Sequence, residues 1–315
     1  MSDRLGPPLE TPLFGRVALI GLGLIGSSIA RACQHRHLAG TIVAIDQDPA
    51  TVARVTALGI ADRATTDVAE GVRDADLVVL CVPVGACAAV AEAMKGSLKP
   101  GAIVSDVGSV KASVIAQVQP HLPEGVAFVP AHPVAGTEYS GPDAGFATLF
   151  LKRWCILTPP EGTDEDAVER MRAFWSALGS DVEVMTAQHH DLVLAITSHV
   201  PHLIAYNIVG TAADLETVTQ SEVIKFSAGG FRDFTRIAAS DPTMWRDVFL
   251  HNKEAVLEML GRLNEDIALL ARAIRWGEGD KLHDLFTRTR AIRRGIISEG
   301  QETPEPDFGR RRDGQ

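Results

Sequence analysis

The sequence predicts a doubly wound α/β domain over residues 13–185, followed by an all-helical domain over residues 186–297. Three observations point there. From Arg16 to about Met185, short β-branched runs alternate with helical patterns, as in parallel strands joined by crossover helices. The first strand closes on a glycine-rich turn that opens a helix. Beyond Met185 the strand signal almost vanishes, while helical periodicity continues to about Ile297. A chain of 315 residues is long enough for two domains, and with 46% hydrophobic residues each can bury a core.

Taken in order, Arg16–Gly21 (RVALIG) reads as the first strand, and a helix follows from Ile25 to about His35. Thr41–Asp46 (TIVAID) is the second strand. Pro49 suits the first turn of the next helix, where its missing N–H costs nothing. Asp76–Val82 and Ala102–Val107 are almost continuously apolar, as strands buried on both faces of a parallel sheet must be. Trp154–Leu157 and Asp181–Met185 are expected as extra strands at the far edge of that sheet. The later segments that begin at Ala187 and Asp241 carry helical periodicity. Residues 298–315 are charged and rich in glycine, proline and arginine, and are expected as a disordered tail.

The formal net charge of −10 repels phosphate backbones and anionic lipid, which argues against nucleic-acid or membrane partners. It also means that basic residues must gather locally wherever an anionic ligand binds. Cys33, Cys81, Cys87 and Cys155 show neither C-x-x-C nor metal-ligand spacing, and read as reduced cytosolic core thiols with no metal site. Met1–Pro12 is polar and proline-rich without the basic-then-apolar pattern of a secretory signal, so a cytoplasmic protein is expected. The uncharged run Leu77–Ala91 is broken by Pro83 and Gly85 and is too short to span a membrane.

Gly21-Leu-Gly23-Leu24-Ile25-Gly26 lies between the first strand and the first helix, with an acid, Asp46, at the end of the next strand. That context makes a Rossmann dinucleotide site of an otherwise weak motif. Gly21 allows the tight turn, Gly23 lets the backbone approach a pyrophosphate, and Gly26 permits close packing of helix on strand. The helix N-terminus offers N–H groups and partial positive charge to the phosphates. Asp46 suits the adenosine ribose hydroxyls and, with Asp48, repels a 2′-phosphate; no Arg or Lys follows before Arg54, so NAD is expected rather than NADP. Val82 and Pro83, where the third long strand ends, should also line the crevice.

Three segments gather polar chemistry: Ser105–Lys111, Pro130–Gly141 and Gly229–Asp247, with Thr197–His202 between the last two. They contain D-x-G-S-V-K (Asp106–Lys111), H-P-x-A-G-T-E (His132–Glu138), S-H-x-P-H (Ser198–His202) and F-R-D-F-T-R…D-P-x-x-W (Phe231–Trp245). These motifs, in this order, resemble the prephenate/arogenate (cyclohexadienyl) dehydrogenase family from Gly21 to about His251. The resemblance implies oxidative decarboxylation of prephenate or arogenate with NAD, in tyrosine biosynthesis. It also implies a helical domain that forms a homodimer, to which the apolar stripes after Asp247 add support. In the family, the histidine matching His132 meets the substrate's ring hydroxyl, assisted by the serine matching Ser109. The arginine matching Arg236 grips a substrate carboxylate, and His199 and His202 approach the side chain or its surroundings, with His202 favoured as the residue facing substrate. Thr137 and Glu138 are further candidate contacts, Glu138 either as a gate over the site or as an ordinary surface or capping acid.

The physics suits those roles. Hydride leaves the carbon bearing the hydroxyl, and neutral imidazole is a suitable acceptor for the hydroxyl proton. Loss of carbon dioxide then aromatises the ring. A planar guanidinium binds a carboxylate in a fork. Plainer readings stand beside these. Ser109 is also a candidate helix N-cap. Lys111 reads equally as a solvated or phosphate-facing lysine and as a catalytic one. His189 and His190 read as exposed residues at a domain junction. Arg236 has Asp233 and Asp241 as ordinary ion-pair partners, and Trp245 reads as core. The rival functions are a hydroxy-acid dehydrogenase of the hydroxyisobutyrate type, with a lysine base, and a non-catalytic NAD-binding dimer.

Overall fold

The computed structural model describes residues 5–137, 139–219 and 228–298. Glu138 and nearly all of the expected tail lie outside the described residues. The first part runs β1 (Phe14–Ile20), α1 (Leu24–Arg36), β2 (Ala39–Ile45), α2 (Pro49–Leu58), β3 (Arg63–Thr65), α3 (Val68–Val72) and β4 (Leu77–Leu80). It continues through α4 (Cys87–Met94), β5 (Ile103–Asp106), α5 (Ala112–Val118) and β6 (Ala127–Phe128). All these strands are parallel, in the order β3-β2-β1-β4-β5-β6. Strand order reverses between β1 and β4, and in such sheets the crevice beyond the strand ends at that point takes the ligand.

The apolar runs of the sequence have a direct cause. Val17, Leu19, Leu77, Val79 and Ile103 enter one core, and their neighbours Ala18, Ile20, Val78, Leu80 and Val104 enter another on the opposite face. Successive side chains alternate sides, so a strand covered on both faces must be apolar throughout. Helix ends follow their signals too. Asp48 accepts a hydrogen bond from Ala50 N at the start of α2, Pro49 is its first residue, and Gly59, at φ +62°, closes it in the left-handed region.

One expectation is overturned. β8 (Trp154–Leu157) and β9 (Asp181–Val184) do not extend the main sheet; with β7 (Ala131–Pro133) they form a separate sheet in the order β7-β8-β9. The handover between sheets falls at Pro130. Val129 N donates to Val104 O of β5 at 2.9 Å, while the next carbonyl, that of Pro130, accepts from Thr158 N just beyond β8 at 2.9 Å. The chain therefore changes sheets one residue before β7, and His132 goes with it. α6 (Glu165–Ala177) connects β8 to β9.

After β9 the described residues hold helices and turns alone: α7 (Ala187–Leu194), a π-turn (Ala195–His199), α8 (Val200–Thr219), α9 (Gly229–Thr235) and a 3-10 turn (Arg236–Ala239). α10 (Pro242–His251), α11 (Lys253–Arg275) and α12 (Gly279–Ser298) complete them. The helical segment Ala187–Asp214 is long and apolar enough to cross a membrane by length and composition, a stretch longer than the Leu77–Ala91 run singled out from the sequence. Compactness divides the chain between Val256 and Leu257. α7 to α10 fall in the first unit, where Trp245 and Val248 join the core that holds Cys87, Met94 and Val114. The second unit presents Ile267, Leu269, Ile274, Trp276, Phe286 and Ile292 to solvent.

Candidate active site

The crevice at β1 is shaped by its glycines. Gly21 sits at φ +94°, and a Cβ there would lie 2.6 Å from the Cys81 carbonyl oxygen. A Cβ on Gly26 would lie 2.1 Å from the Gly21 carbonyl oxygen, so α1 can start this close to the strand only with glycine. Gly23 differs: nothing lies within 4 Å of its Cβ position. It is the N-cap of α1 and no side chain caps the helix, which leaves first-turn N–H groups for a ligand. Leu24 and Ile25 begin that turn, Leu24 buried and Ile25 half-buried.

Asp46 closes the crevice from β2. Its carboxylate accepts from Leu22 N at 2.8 Å and Asp48 N at 3.1 Å, which ties it to the glycine turn. Arg54, the first cation after it, is held by Asp143, with Nε 3.0 Å from both carboxylate oxygens. On the far side β4 is followed by half-buried Val82 and exposed Pro83, which opens a 3-10 turn.

A second site forms around His132. β7 holds its backbone, paired with Ile156 of β8, and its side chain is buried. Nδ1 of His132 lies 2.8 Å from Nε2 of His190, and Nδ1 of His190 lies 2.8 Å from Oδ1 of Asp191. Both histidines are held below the usual imidazole range, chiefly by burial; His190 is pulled back in part by Asp191. The reading of His190 as exposed is therefore wrong: it is fully buried, because the first turn of α7 packs against β7 and α5, while His189 alone faces solvent.

Asp191 does a second task. Its Oδ1 accepts from Lys111 N at 2.8 Å and its Oδ2 from Ala112 N at 2.9 Å. It caps α5 across 80 residues of sequence, so Ser109 is not the cap. Ser109 is half-buried in the loop between β5 and α5, and no hydrogen bond joins its hydroxyl to His132 among the described residues. Lys111 is neither solvated nor phosphate-facing. It is fully buried, paired with Asp106 and donating to the Ala131 carbonyl at 2.7 Å. Burial pushes the Asp106 carboxyl up against the pull of Lys111.

His199 and His202 both meet the ring of Trp245 but at different depths. His199, at the end of the π-turn, is fully buried; Asn252 Nδ2 lies 3.1 Å from its Nδ1, and its Nε2 has no partner. Burial pushes it down to about 4. His202 is half-buried and stacks on Trp245 at 3.6 Å between ring centres. Its Nδ1 lies 2.8 Å from the Ser198 carbonyl, and its Nε2 has no hydrogen-bond partner among the described residues. Trp245 is core, as expected. Arg236 is exposed in the 3-10 turn, and its charge helps hold His202 below the usual range, behind the larger effect of burial. Neither Asp233 nor Asp241 forms an ion pair with it; Asp241 caps α10 through Met244 N. Thr137 is half-buried and accepts from Tyr139 N at 3.3 Å.

Sequence reading missed His190, Asp191 and Asn252. The available signal was an aspartate next to a histidine at the head of an otherwise apolar helix.

The comparisons with known proteins agree with this layout. Residues 29–184 match the family described as prephenate dehydrogenase, nucleotide-binding domain, and residues 186–288 match prephenate dehydrogenase, dimerization domain. Cyclohexadienyl dehydrogenase of Zymomonas mobilis is 42% identical over 93% of this chain and 99% of its own length. Prephenate dehydrogenase of Bacillus subtilis is 33% identical over 89% of this chain and 76% of its own. The structure of Aquifex aeolicus prephenate dehydrogenase, in complex with hydroxyphenyl propionate and NAD+, has a TM-score of 0.84 at 32% identity and covers 91% of this chain and 99% of that one.

Proposed function

This chain belongs to the prephenate dehydrogenase family, and from that premise we propose that it is an NAD-dependent enzyme acting on prephenate, arogenate or both. The product is 4-hydroxyphenylpyruvate from prephenate or tyrosine from arogenate, with loss of carbon dioxide. The observation that carries the reading is His132: a buried imidazole kept neutral by burial, whose Nδ1 is engaged and whose Nε2 has no hydrogen-bond partner among the described residues.

Bound NAD supplies the hydride acceptor. Gly21, Gly23, Gly26, Leu24 and Ile25 hold the dinucleotide, with open space at Gly23 and an uncapped helix start in support. Asp46 takes the ribose hydroxyls, and Val82 and Pro83 line the opposite wall. NAD is preferred over NADP because Asp46 and Asp48 repel a 2′-phosphate and Asp143 already occupies Arg54.

His132 Nε2 accepts the ring hydroxyl's proton as the carbonyl forms, a task for an imidazole kept neutral at working pH. Ser109 assists at the same hydroxyl. Arg236, without an ion-pair partner among the described residues, takes a substrate carboxylate in a fork. His202 presents Nε2 beside it, and His199 supports that wall from behind. Thr137 and Glu138 complete the substrate side. A lysine-based hydroxy-acid chemistry has no support from Lys111, which Asp106 and the Ala131 carbonyl hold in the core.

Residues 13–185 serve the cofactor and 186–297 the substrate and a homodimer interface. Supporting this are the family boundaries at 184 and 186 and the apolar side chains that the second unit exposes. The net charge of −10 supports an enzyme without nucleic-acid or membrane partners, and the free thiols of Cys33, Cys81, Cys87 and Cys155 support a cytoplasmic one.

The test is direct. Purified protein is given NAD with prephenate, then with arogenate, and the absorbance of the reduced cofactor is followed. Turnover with either supports the proposal, and the ratio of kcat/KM values ranks the two. Tight NAD binding without turnover of either points to the scaffold reading. Light scattering at several concentrations tests the dimer.

A further inference from the structure

The chain Asp191–His190–His132 is a built feature that the reaction as stated does not require. All three residues are buried, and successive polar atoms lie 2.8 Å apart. The donors can be assigned in order. Asp191 also accepts two backbone N–H groups of α5, so its carboxylate is an acceptor only. His190 Nδ1 must therefore carry a proton and donate to it. In a neutral ring that leaves His190 Nε2 as an acceptor, so His132 Nδ1 must carry a proton and donate in turn. The remaining nitrogen, Nε2 of His132, is then bare.

We propose that His190 and Asp191 are positioning residues that hold His132 in its Nδ1–H tautomer and orient its ring, so that only Nε2 can take the substrate's proton. The proposal rests on His132 being the base. Two features give the relay its rigidity. Asp191 is pinned by the α5 N-terminus on one side, and Asn252 Nδ2 donates to its backbone carbonyl at 2.8 Å on the other. β7 fixes the His132 backbone from a different element. Ring rotation of either histidine thus breaks a buried hydrogen bond.

The relay also acts when His132 becomes imidazolium. Its Nδ1–H then points at a lone pair backed by a carboxylate, which favours the cation. The other groups facing His132 do not replace this. Lys111 and His199 oppose a charge on His132, and the Cys155 thiol is held protonated by burial. Loss of the His190 acceptor therefore leaves imidazolium without a partner.

The experiment uses the full chain labelled with 15N-histidine, with no substrate. Assigned through His132→Asn, the His132 signals should show a protonated Nδ1 and a bare Nε2 near neutral pH. A protonated Nε2 overturns the proposal whether or not the chain turns over prephenate. Kinetics follow on His190→Leu and His190→Gln, the second keeping an acceptor near the Nε2 position. His190→Leu should lower kcat by roughly 10–100-fold, as loss of a group orienting a histidine does, with substrate KM little changed. Its acid limb should move to lower pH, because the imidazolium has lost its acceptor. His190→Gln should recover most of kcat. If His190→Leu folds and keeps at least half of kcat with the same acid limb, the relay has no such role. If His190→Leu does not fold, the tautomer in the unsubstituted protein still decides.

Discussion

The dinucleotide crevice and the imidazole pocket are built by opposite means. The crevice comes from one short stretch, Gly21–Gly26, closed by a single acid, Asp46, that bonds back to Leu22. Its groups are backbone N–H donors and absent side chains. The pocket draws His132 from β7, His190 and Asp191 from α7, His199 and His202 from the π-turn and α8, and Trp245 and Asn252 from α10 and its end. Its groups are buried imidazoles whose charge state depends on their surroundings. A phosphate cradle needs only conformation, which local sequence supplies. A proton acceptor needs a tuned and oriented ring, which takes contacts from several elements.

The sharpest break between the two regions is His132→Asn. It should lower kcat by roughly 10²–10⁴-fold, the range for loss of a general base, while NAD affinity, measured by fluorescence titration, stays unchanged. A variant keeping half of kcat removes His132 from the mechanism.

Acid should separate the regions next. Burial holds His132, His190, His199 and His202 below the usual imidazole range, so the folded protein binds fewer protons than the unfolded chain as pH falls below 6.5. Stability is full above that pH and is lost as pH falls toward 4. His199 alone, moved from 6.5 to about 4, accounts for about 3 kcal/mol. Urea midpoints measured down the pH scale should fall over this window, and less steeply in His199→Asn. An unchanged midpoint from pH 7 to pH 4.5 would refute the account.

The same contrast explains what the sequence could tell. The main sheet was legible because alternate residues of β1 and β4 serve two cores, leaving unbroken apolar runs. The second sheet was not, since its separation depends on which partner Pro130 can bond, and pairing is a non-local choice. His132, His202 and Arg236 were singled out through motif resemblance. His190 and Asp191 were missed because their significance lies 58 and 80 residues away, at His132 and Lys111. Lys111 was left open between a solvated, phosphate-facing or catalytic lysine, because its burial depends on β7 bringing the Ala131 carbonyl to it as well as on nearby Asp106.

Arg236→Gln tests the rim of the pocket. One charge-assisted contact is worth about 1.5–3 kcal/mol, so substrate KM should rise by roughly one to two orders of magnitude. The KM for NAD should hardly move, since Arg236 lies with His202 rather than in the glycine turn. An unchanged substrate KM in a folded variant makes Arg236 a surface residue only.

The smallest effect on the fold separates two glycines of one motif. In Gly26→Ala the new Cβ would stand 2.1 Å from the Gly21 carbonyl oxygen, and a backbone atom cannot swing aside as a flexible side chain can. Strand and helix must move apart, so both thermal stability and NAD binding should fall. In Gly23→Ala the Cβ enters space with nothing within 4 Å, at a backbone conformation alanine tolerates. Replacing a glycine N-cap by alanine costs at most about 1 kcal/mol, so the melting temperature should hardly change. Yet that open space is where a pyrophosphate must approach the backbone, and NAD affinity should drop several-fold. The outcome to watch is the pairing: binding lost with the fold intact at Gly23, and both lost at Gly26. If Gly23→Ala binds NAD as the unsubstituted chain does, the open side of the turn does not face the cofactor.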